Sequence, residues 1–331
     1  MRKRILLVCM AAALLLTGCG AGRSPKTEDA PPELTGPGTP GGEDGYYGTV
    51  YVGKGQTLES SGDVEGAEGD VNIVLVQNGG KMTLTDTKLY KTGDATGTVA
   101  TGGGNAAVAV TGGGTMEIRD TVIRTGGFGA HGLFVGDTMD GQNMFTVTGE
   151  NLTIETAGST SAGIYADLGT VTLTGGSVTT KATDGTSPAF LLKDHGQVML
   201  DKVQVNTAGS LAEMLGKGGA LDAMGTELSG DVKLAVDDDA TVSISLSGDS
   251  RWTGTIVSDT VQNIHVSLDA TSTWTLTAET SVDSFMDGDG TFANIQSGGY
   301  NLYYNASNEN NASLKAQSYE LPGGGYLSPM I

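Results

Sequence analysis

From Tyr46 onward the chain runs in short alternating stretches. Val, Ile, Leu or Met occupies every second position, Thr, Ser or a charged residue lies between, and Gly, Asp or Asn breaks each stretch. Period-two alternation places the apolar side chains on one face of a strand, and the breaking residues are those that tolerate tight corners. KMTLT (81–85), TMEIR (115–119), TVTLT (170–174) and SISLS (243–247) are examples. No stretch sustains an apolar period of 3.6, so long helices are not expected. LAEML, Leu211 to Leu215, reads as one helical turn at most.

The stretches also repeat. GGKMTLTDTKLYKTG (79–93) returns as GGTMEIRDTVIRTGG (113–127), with the same Gly-Gly, Met and Asp-Thr at the same places. Three apolar anchors spaced Φ-x-Φ-x-x-x-x-Φ extend the series. They are Met82/Leu84/Leu89, Met116/Ile118/Ile123, Phe145/Val147/Leu152, Val171/Leu173/Val178 and Val198/Leu200/Val205. The first anchors are 34, 29, 26 and 27 residues apart. Gly80, Gly114, Asn143, Gly169 or Gly196 stands two residues ahead of each set, suited to a tight corner. A second short strand precedes each set, through Val74/Val76, Val108/Val110, Leu133/Val135, Ile164/Ala166 and Phe190/Leu192.

Strand-bearing periods of 20–50 residues belong to solenoids, propellers or arrays. A propeller blade needs about 40 residues and four strands, whereas a coil of 26–30 residues with two or three strands fits a parallel β-helix. In that fold each strand pairs with its counterpart one coil later, so like side chains stack in columns. The pattern continues at an offset of 22, where SISLSGDSRWTG (243–254) aligns with HVSLDATSTWTL (265–276), pairing Leu246 with Leu268 and Trp252 with Trp274. The expected fold is all-β, a right-handed parallel β-helix of roughly ten coils over residues 46–331.

The run STWTLTAETSVDSFMDGDGTFANI, followed by GGYNLYYNA, resembles the distal rungs of passenger domains in pertactin-like autotransporter adhesins. More broadly the repeats resemble the pectin-lyase-like β-helix superfamily, over most of residues 46–306. The resemblance specifies architecture better than activity. The chain closes with LPGGGYLSPMI and no barrel-like segment follows, so a solenoid is expected, not an autotransporter.

The N-terminus reads differently. Arg2, Lys3 and Arg4 precede an apolar run from Ile5 to Leu16, too short to span a bilayer as a mature helix, which marks residues 1–18 as a signal peptide. Leu16-Thr17-Gly18-Cys19 resembles the lipobox of bacterial lipoproteins, which implies a lipid on Cys19 as the mature N-terminus. Cys9 leaves with the signal, so the mature chain forms no internal disulfide. Residues 19–45 hold five of the eight prolines and few apolar residues, a flexible tether with a mean span of about 30 Å.

Charge narrows the partners. The formal charge is −20, and only 18 residues are Lys or Arg, which argues against nucleic acid. A lipid-anchored rod presents a long side surface, so the chain is expected to be a monomeric, extracytoplasmic, non-catalytic adhesin or glycan-binding scaffold, with no cofactor. The alternative is a polysaccharide lyase or glycoside hydrolase of the pectin-lyase-like type. Such enzymes stack acidic residues on one lateral face. Here Asp86 and Asp120 share a register, but the next coils carry Gly149, Gly175 and Lys202 there. Two stacked carboxylates can hold Ca²⁺ or share a proton, and two solvated turn residues are the simpler account.

His131, His195 and His265 fall at different registers, which gives a metal or triad little support. Asp237-Asp238-Asp239 and Asp287-Gly288-Asp289 lack the register of a Ca²⁺ loop. Trp252 and Trp274 share a register, as an exposed sugar-stacking ladder or as an aromatic stack in the core. Thr-x-Thr runs such as Thr172-Leu173-Thr174 do not persist in one column, so an ice-binding face is set aside.

Overall fold

The computed structural model describes residues 41–42, 45–136, 145–261 and 263–330. The signal sequence, Cys19, most of the tether and the Asn143 corner lie outside the described residues. Backbone contacts divide the chain into Met1–Ala30 and Pro31–Ile331, and everything below concerns the second unit. Its described residues form a right-handed parallel β-helix of about 11 turns.

Each coil contributes one strand to each of three sheets. In one coil these are Asn72–Val76, Lys81–Thr85 and Lys88–Lys91, and in the next Val108–Val110, Thr115–Arg119 and Val122–Thr125. All three pairs are parallel and in register, with Val74 on Val108, Met82 on Met116 and Leu89 on Ile123. Where the corner between the second and third sheets is gentle, one continuous strand serves both, as in Thr146–Thr156 and Thr170–Thr180. LAEML joins this pattern. Instead of a helical turn it opens the strand Ala212–Met224, with Ala212 and Met214 buried and Glu213 facing outward. Pairing with Phe190–Lys193 on one side and Val232–Ser247 on the other overrides its helical propensity.

Inward side chains stack as the repeats require. The third sheet carries Leu89, Ile123, Ile154, Val178 and Val205, then Leu228, Trp252, Trp274 and Ile295, one residue per coil and all buried. Burying one such side chain stabilises the fold by roughly 1.5–3 kcal/mol. The 22-residue pairing holds, with Leu246 opposite Leu268 and Trp252 opposite Trp274.

One register differs from the sequence reading. In the third coil Val147, Gly149 and Ile154 stack on Met116, Ile118 and Ile123, so the anchors lie two residues beyond Phe145, Val147 and Leu152. Gly149 occupies a core position because Leu152 leans into its space. A Cβ on Gly149 would lie 2.6 Å from both Leu152 and Leu173 side chains.

The corner after the second sheet needs a left-handed residue. Asp86, Asp120, Asn151, Gly175, Lys202, Gly225 and Gly248 follow one another there with φ between 46° and 66°. Asp and Asn accept this conformation more readily than other residues with a Cβ, and Gly accepts it freely.

The longest interval, 34 residues, has a local cause. Between Lys91 and Ala107 the chain leaves the coil, forms a short 3-10 turn at Gly97–Thr101 and lies over the outer face of the first sheet. That face carries Leu75, Ala109, Phe134 and Tyr165, which with Tyr46 and Ala106 form a second, smaller apolar cluster. Consequently the first-sheet strands Asn72–Val76, Leu133–Gly136 and Ile164–Asp167 are buried on both faces. At the far end of the stack Thr280–Val282, Leu302–Tyr304 and Tyr326–Pro329 pair in parallel, and Tyr319–Glu320 closes the sheet antiparallel to the last of them.

Candidate functional site

The residues singled out by sequence fall into three groups. Trp252 and Trp274 belong to the core: they are 1% and 0% exposed and stack at 4.7 Å between ring centroids with 7° between planes. Their indole N–H groups donate to the carbonyls of Gly230 and Gly254, both at 3.0 Å. An exposed sugar-stacking ladder at these positions is thereby overturned.

Asp86 and Asp120 belong to the left-handed corner. With the third coil in its proper register, Asn151 and not Gly149 follows them, and its side-chain amide donates to Asp120 at 3.1 Å. Conformation accounts for this column.

The histidines do not converge. His131 is fully buried, accepts from the Ala162 backbone N–H through Nδ1 and meets the Ala100 carbonyl through Nε2, both at 3.0 Å. Burial pulls its pKa down to about 4, against the hydrogen bond to Ala100, so it is neutral and structural. His195 sits in a corner with φ 72°, and His265 lies on the second sheet. Among the described residues no group of three or more His, Cys, Asp or Glu is placed to hold a metal ion. Asp287 and Asp289 serve their own loop: Asp289 accepts from Thr291, and Asp287 accepts from the Asp289 N–H and the Asn294 amide.

Two other features emerge only in three dimensions. The first is a charged ladder at the end of the first sheet. Asp167 and Lys193 are register partners on adjacent coils, and Lys193 Nζ lies 2.9 Å from Asp167 Oδ2 and 3.2 Å from Asp194 Oδ2. The Tyr165 hydroxyl reaches Asp167 at 3.3 Å and the Thr101 carbonyl of the overlying excursion at 3.2 Å. One coil on, the Lys217 backbone N–H donates to Asp194 at 2.9 Å, and its ammonium meets Asp239 at 2.6 Å and Asp237 at 3.1 Å. Two of the three consecutive aspartates are therefore paired with a lysine.

The environments of Asp167 and Asp194 differ. Burial pushes Asp167 above its ordinary range, although Lys193 pulls the other way. Asp194 also feels burial, but the Lys217 N–H and Lys193 outweigh it and hold Asp194 below its ordinary value. Between the two, Lys193 is held above its own ordinary value despite partial burial.

The second feature is an axial groove on the outer face of the second sheet. Its walls are outward residues two apart on each strand: Glu117 and Arg119, Thr148 and Glu150, Thr172 and Thr174, Met199 and Asp201, Asp222 and Met224, Ser245 and Ser247. Registered pairing lines these residues up across six coils. At about 4.8 Å per coil the groove runs roughly 24 Å, with walls about 7 Å apart. Arg119 binds Glu117 at 2.8 Å and lies 3.8 Å from Glu150 at one end, while Met224 stands 46% exposed toward the other. Between the ends hydroxyls, carboxylates and Met side chains are mixed, and no column is uniformly threonine.

Sequence reasoning missed Asp167 and Lys193 as a pair, although both directly follow the last inward residue of equivalent strands, Ala166 and Leu192. Comparison of the chain with protein-family models, curated proteins and solved structures finds no match.

Proposed function

We propose that the protein is an extracytoplasmic lipoprotein, anchored through Cys19, that acts as a non-catalytic adhesin or glycan-binding scaffold on a β-helix of the pectin-lyase-like type. The axial groove is the observation that carries this reading. Six coils present hydroxyls, carboxylates and Met side chains in two straight rows, a lining that suits a linear chain lying along the axis. Registered strands fix the spacing of the rows before any ligand arrives, which lowers the ordering cost of binding. A glycan and polysaccharide array, run with and without Ca²⁺ and read for both binding and cleavage, tests it. Binding without cleavage is the expected result; absence of binding across the array would refute it.

A second reading, a glycoside hydrolase, has one observation in its favour. Asp167 and Asp194 flank the same ammonium, which keeps their nearest oxygens within about 6 Å of each other. Their surroundings push their pKa values in opposite directions, as an acid and base pair requires. Release of reducing ends that disappears in both Asp167→Asn and Asp194→Asn would establish this reading.

A further inference from the structure

The terminal four-stranded sheet has an outer face unlike the rest of the coil. Alternation puts Leu302, Tyr304 and Leu327 inside, where all are 0% exposed, and turns Tyr303 and Tyr326 outward on adjacent strands. Tyr326 is 47% exposed. Asn301 links the two strands and holds the Tyr303 hydroxyl. Its side-chain oxygen accepts from the Tyr326 backbone N–H at 2.9 Å, and its amide nitrogen donates to the Tyr303 hydroxyl at 3.1 Å and to Glu279 at 3.2 Å. Glu320 is the antiparallel partner of Tyr326, and Ser281 and Ser328 are the register partners of Tyr303.

The four strands contain no Lys or Arg, and the carboxylates at this face are those of Glu279 and Glu320. A face of this kind offers rigid aromatic area with hydroxyl, amide and carboxylate acceptors at its rim. Tyrosine supplies such area at low ordering cost, because only two side-chain torsions must be fixed. The negative rim repels uronates and sulfated chains. Carboxylates and amides accept readily from sugar hydroxyls, while a tyrosine ring packs against a flat face of C–H groups. A pyranose whose substituents are all equatorial presents such faces above and below.

We propose that Tyr303 and Tyr326, on strands joined through Asn301, form a binding platform for a neutral β-linked glucan. The inference rests on the reading of the chain as a glycan-binding scaffold and adds to it a ligand class and a second contact surface. The platform lies on the last coils, at the end of the stack remote from the coil that follows the tether.

The test is calorimetric titration of the full chain with laminarihexaose, cellohexaose and, as an anionic control, hexagalacturonate. The wild type is expected to bind at least one of the neutral hexaoses and not the uronate. Tyr326→Ala, which removes an outward, about half-exposed ring and leaves the core untouched, should weaken that binding at least tenfold with an unchanged melting temperature. Tyr326→Phe should keep it within about threefold, since the ring remains. If Tyr326→Ala binds as the wild type does while a groove variant, Met199→Lys, loses binding, the platform is wrong and the scaffold reading stands. If the wild type binds neither neutral hexaose, or prefers hexagalacturonate, the ligand class falls, and if it also binds nothing on the array, the scaffold reading falls with it.

Discussion

His131 ties the excursion to the coil, and its titration should be readable in stability. The ring joins Ala100, in the excursion, to Ala162, one coil further on, and meets the edge of Tyr165 at 5.3 Å. Its pKa falls from 6.5 to about 4 on folding. Because the folded value is the lower one, the unfolded chain binds the extra proton as pH drops below 6.5, and stability is lost through the window down to about 4. For one site with these values the loss is about 2 kcal/mol at pH 5 and about 3 kcal/mol at pH 4, relative to neutral pH. Carboxylates titrate nearby in pH: Asp269 is held at about 2 by hydrogen bonds that outweigh its burial, whereas Asp167 and Asp287 are raised by burial. Those contributions are shared with a His131→Gln variant, which cannot titrate, so the difference between the two proteins isolates the histidine. The variant should be less stable by about 1–3 kcal/mol at pH 7.5, having left the Ala162 N–H buried without an acceptor. Urea unfolding at pH 7.5, 5 and 4 should show that deficit shrinking or reversing as pH falls. A deficit constant to within about 0.5 kcal/mol across the series would refute a neutral, buried His131.

Three further outcomes are expected. Trp274→Ala should cost about 3–5 kcal/mol in chemical denaturation, because it opens a cavity beside Trp252 and leaves the Gly254 carbonyl without its donor; a loss below about 1 kcal/mol would contradict the core stack. Leu200→Asp should cost several kcal/mol, since Leu200 is 3% exposed between Leu173 and Ala223, whereas Lys202→Asp at the left-handed corner should stay within about 0.5 kcal/mol. Equal losses in thermal melts would contradict the register. Cys19→Ser should leave the fold intact and move the protein from membrane to soluble fractions, because two acyl chains suffice for stable anchoring; membrane retention of that variant would refute the lipid anchor.

Most of the coil was legible because a β-helix constrains the same positions repeatedly. A column such as Leu89, Ile123, Val178 and Val205 shows itself as recurring spacing before any coordinates exist. The tryptophans' shared register was legible, but their direction was left open between an exposed ladder and a core stack. The overlooked signal was the polar neighbours on either side, Arg251 and Thr253 around Trp252 and Thr273 and Thr275 around Trp274, which alternation places on the face opposite the rings. The third coil misled because Phe145-x-Val147 satisfies the apolar template while the true anchor, Gly149, does not. Its core volume is supplied by Leu152, three residues later, and such side-chain compensation leaves no trace in a spacing rule. The excursion over the first sheet is equally silent in sequence. Its Gly, Thr and Ala content says loop, and its place shows only in three dimensions, where Gly103, φ 74°, presses against the Phe134 ring and His131 and Tyr165 meet the carbonyls of Ala100 and Thr101.

The corner column shows how conformation and chemistry can share one signature. Asp86 and Asp120 repeat at one register, as stacked catalytic or metal-binding carboxylates would. The next coils then separate the explanations. Asn151 retains the conformation and drops the charge, Gly175 drops the side chain, and Lys202 reverses the sign, while φ stays between 46° and 66° throughout. A site selected for charge would not vary in that way from coil to coil, but a corner selected for left-handed backbone would. The opposite pattern marks Asp167, Lys193 and Asp194. There the backbone requirement differs from residue to residue, with Asp167 and Lys193 in strands and Asp194 at a left-handed corner, yet the side chains meet. Convergence of charges from different backbone conformations has no local conformational cause, so substitutions in this ladder, not at the repeated aspartates, are the ones that test a hydrolase against a binding scaffold.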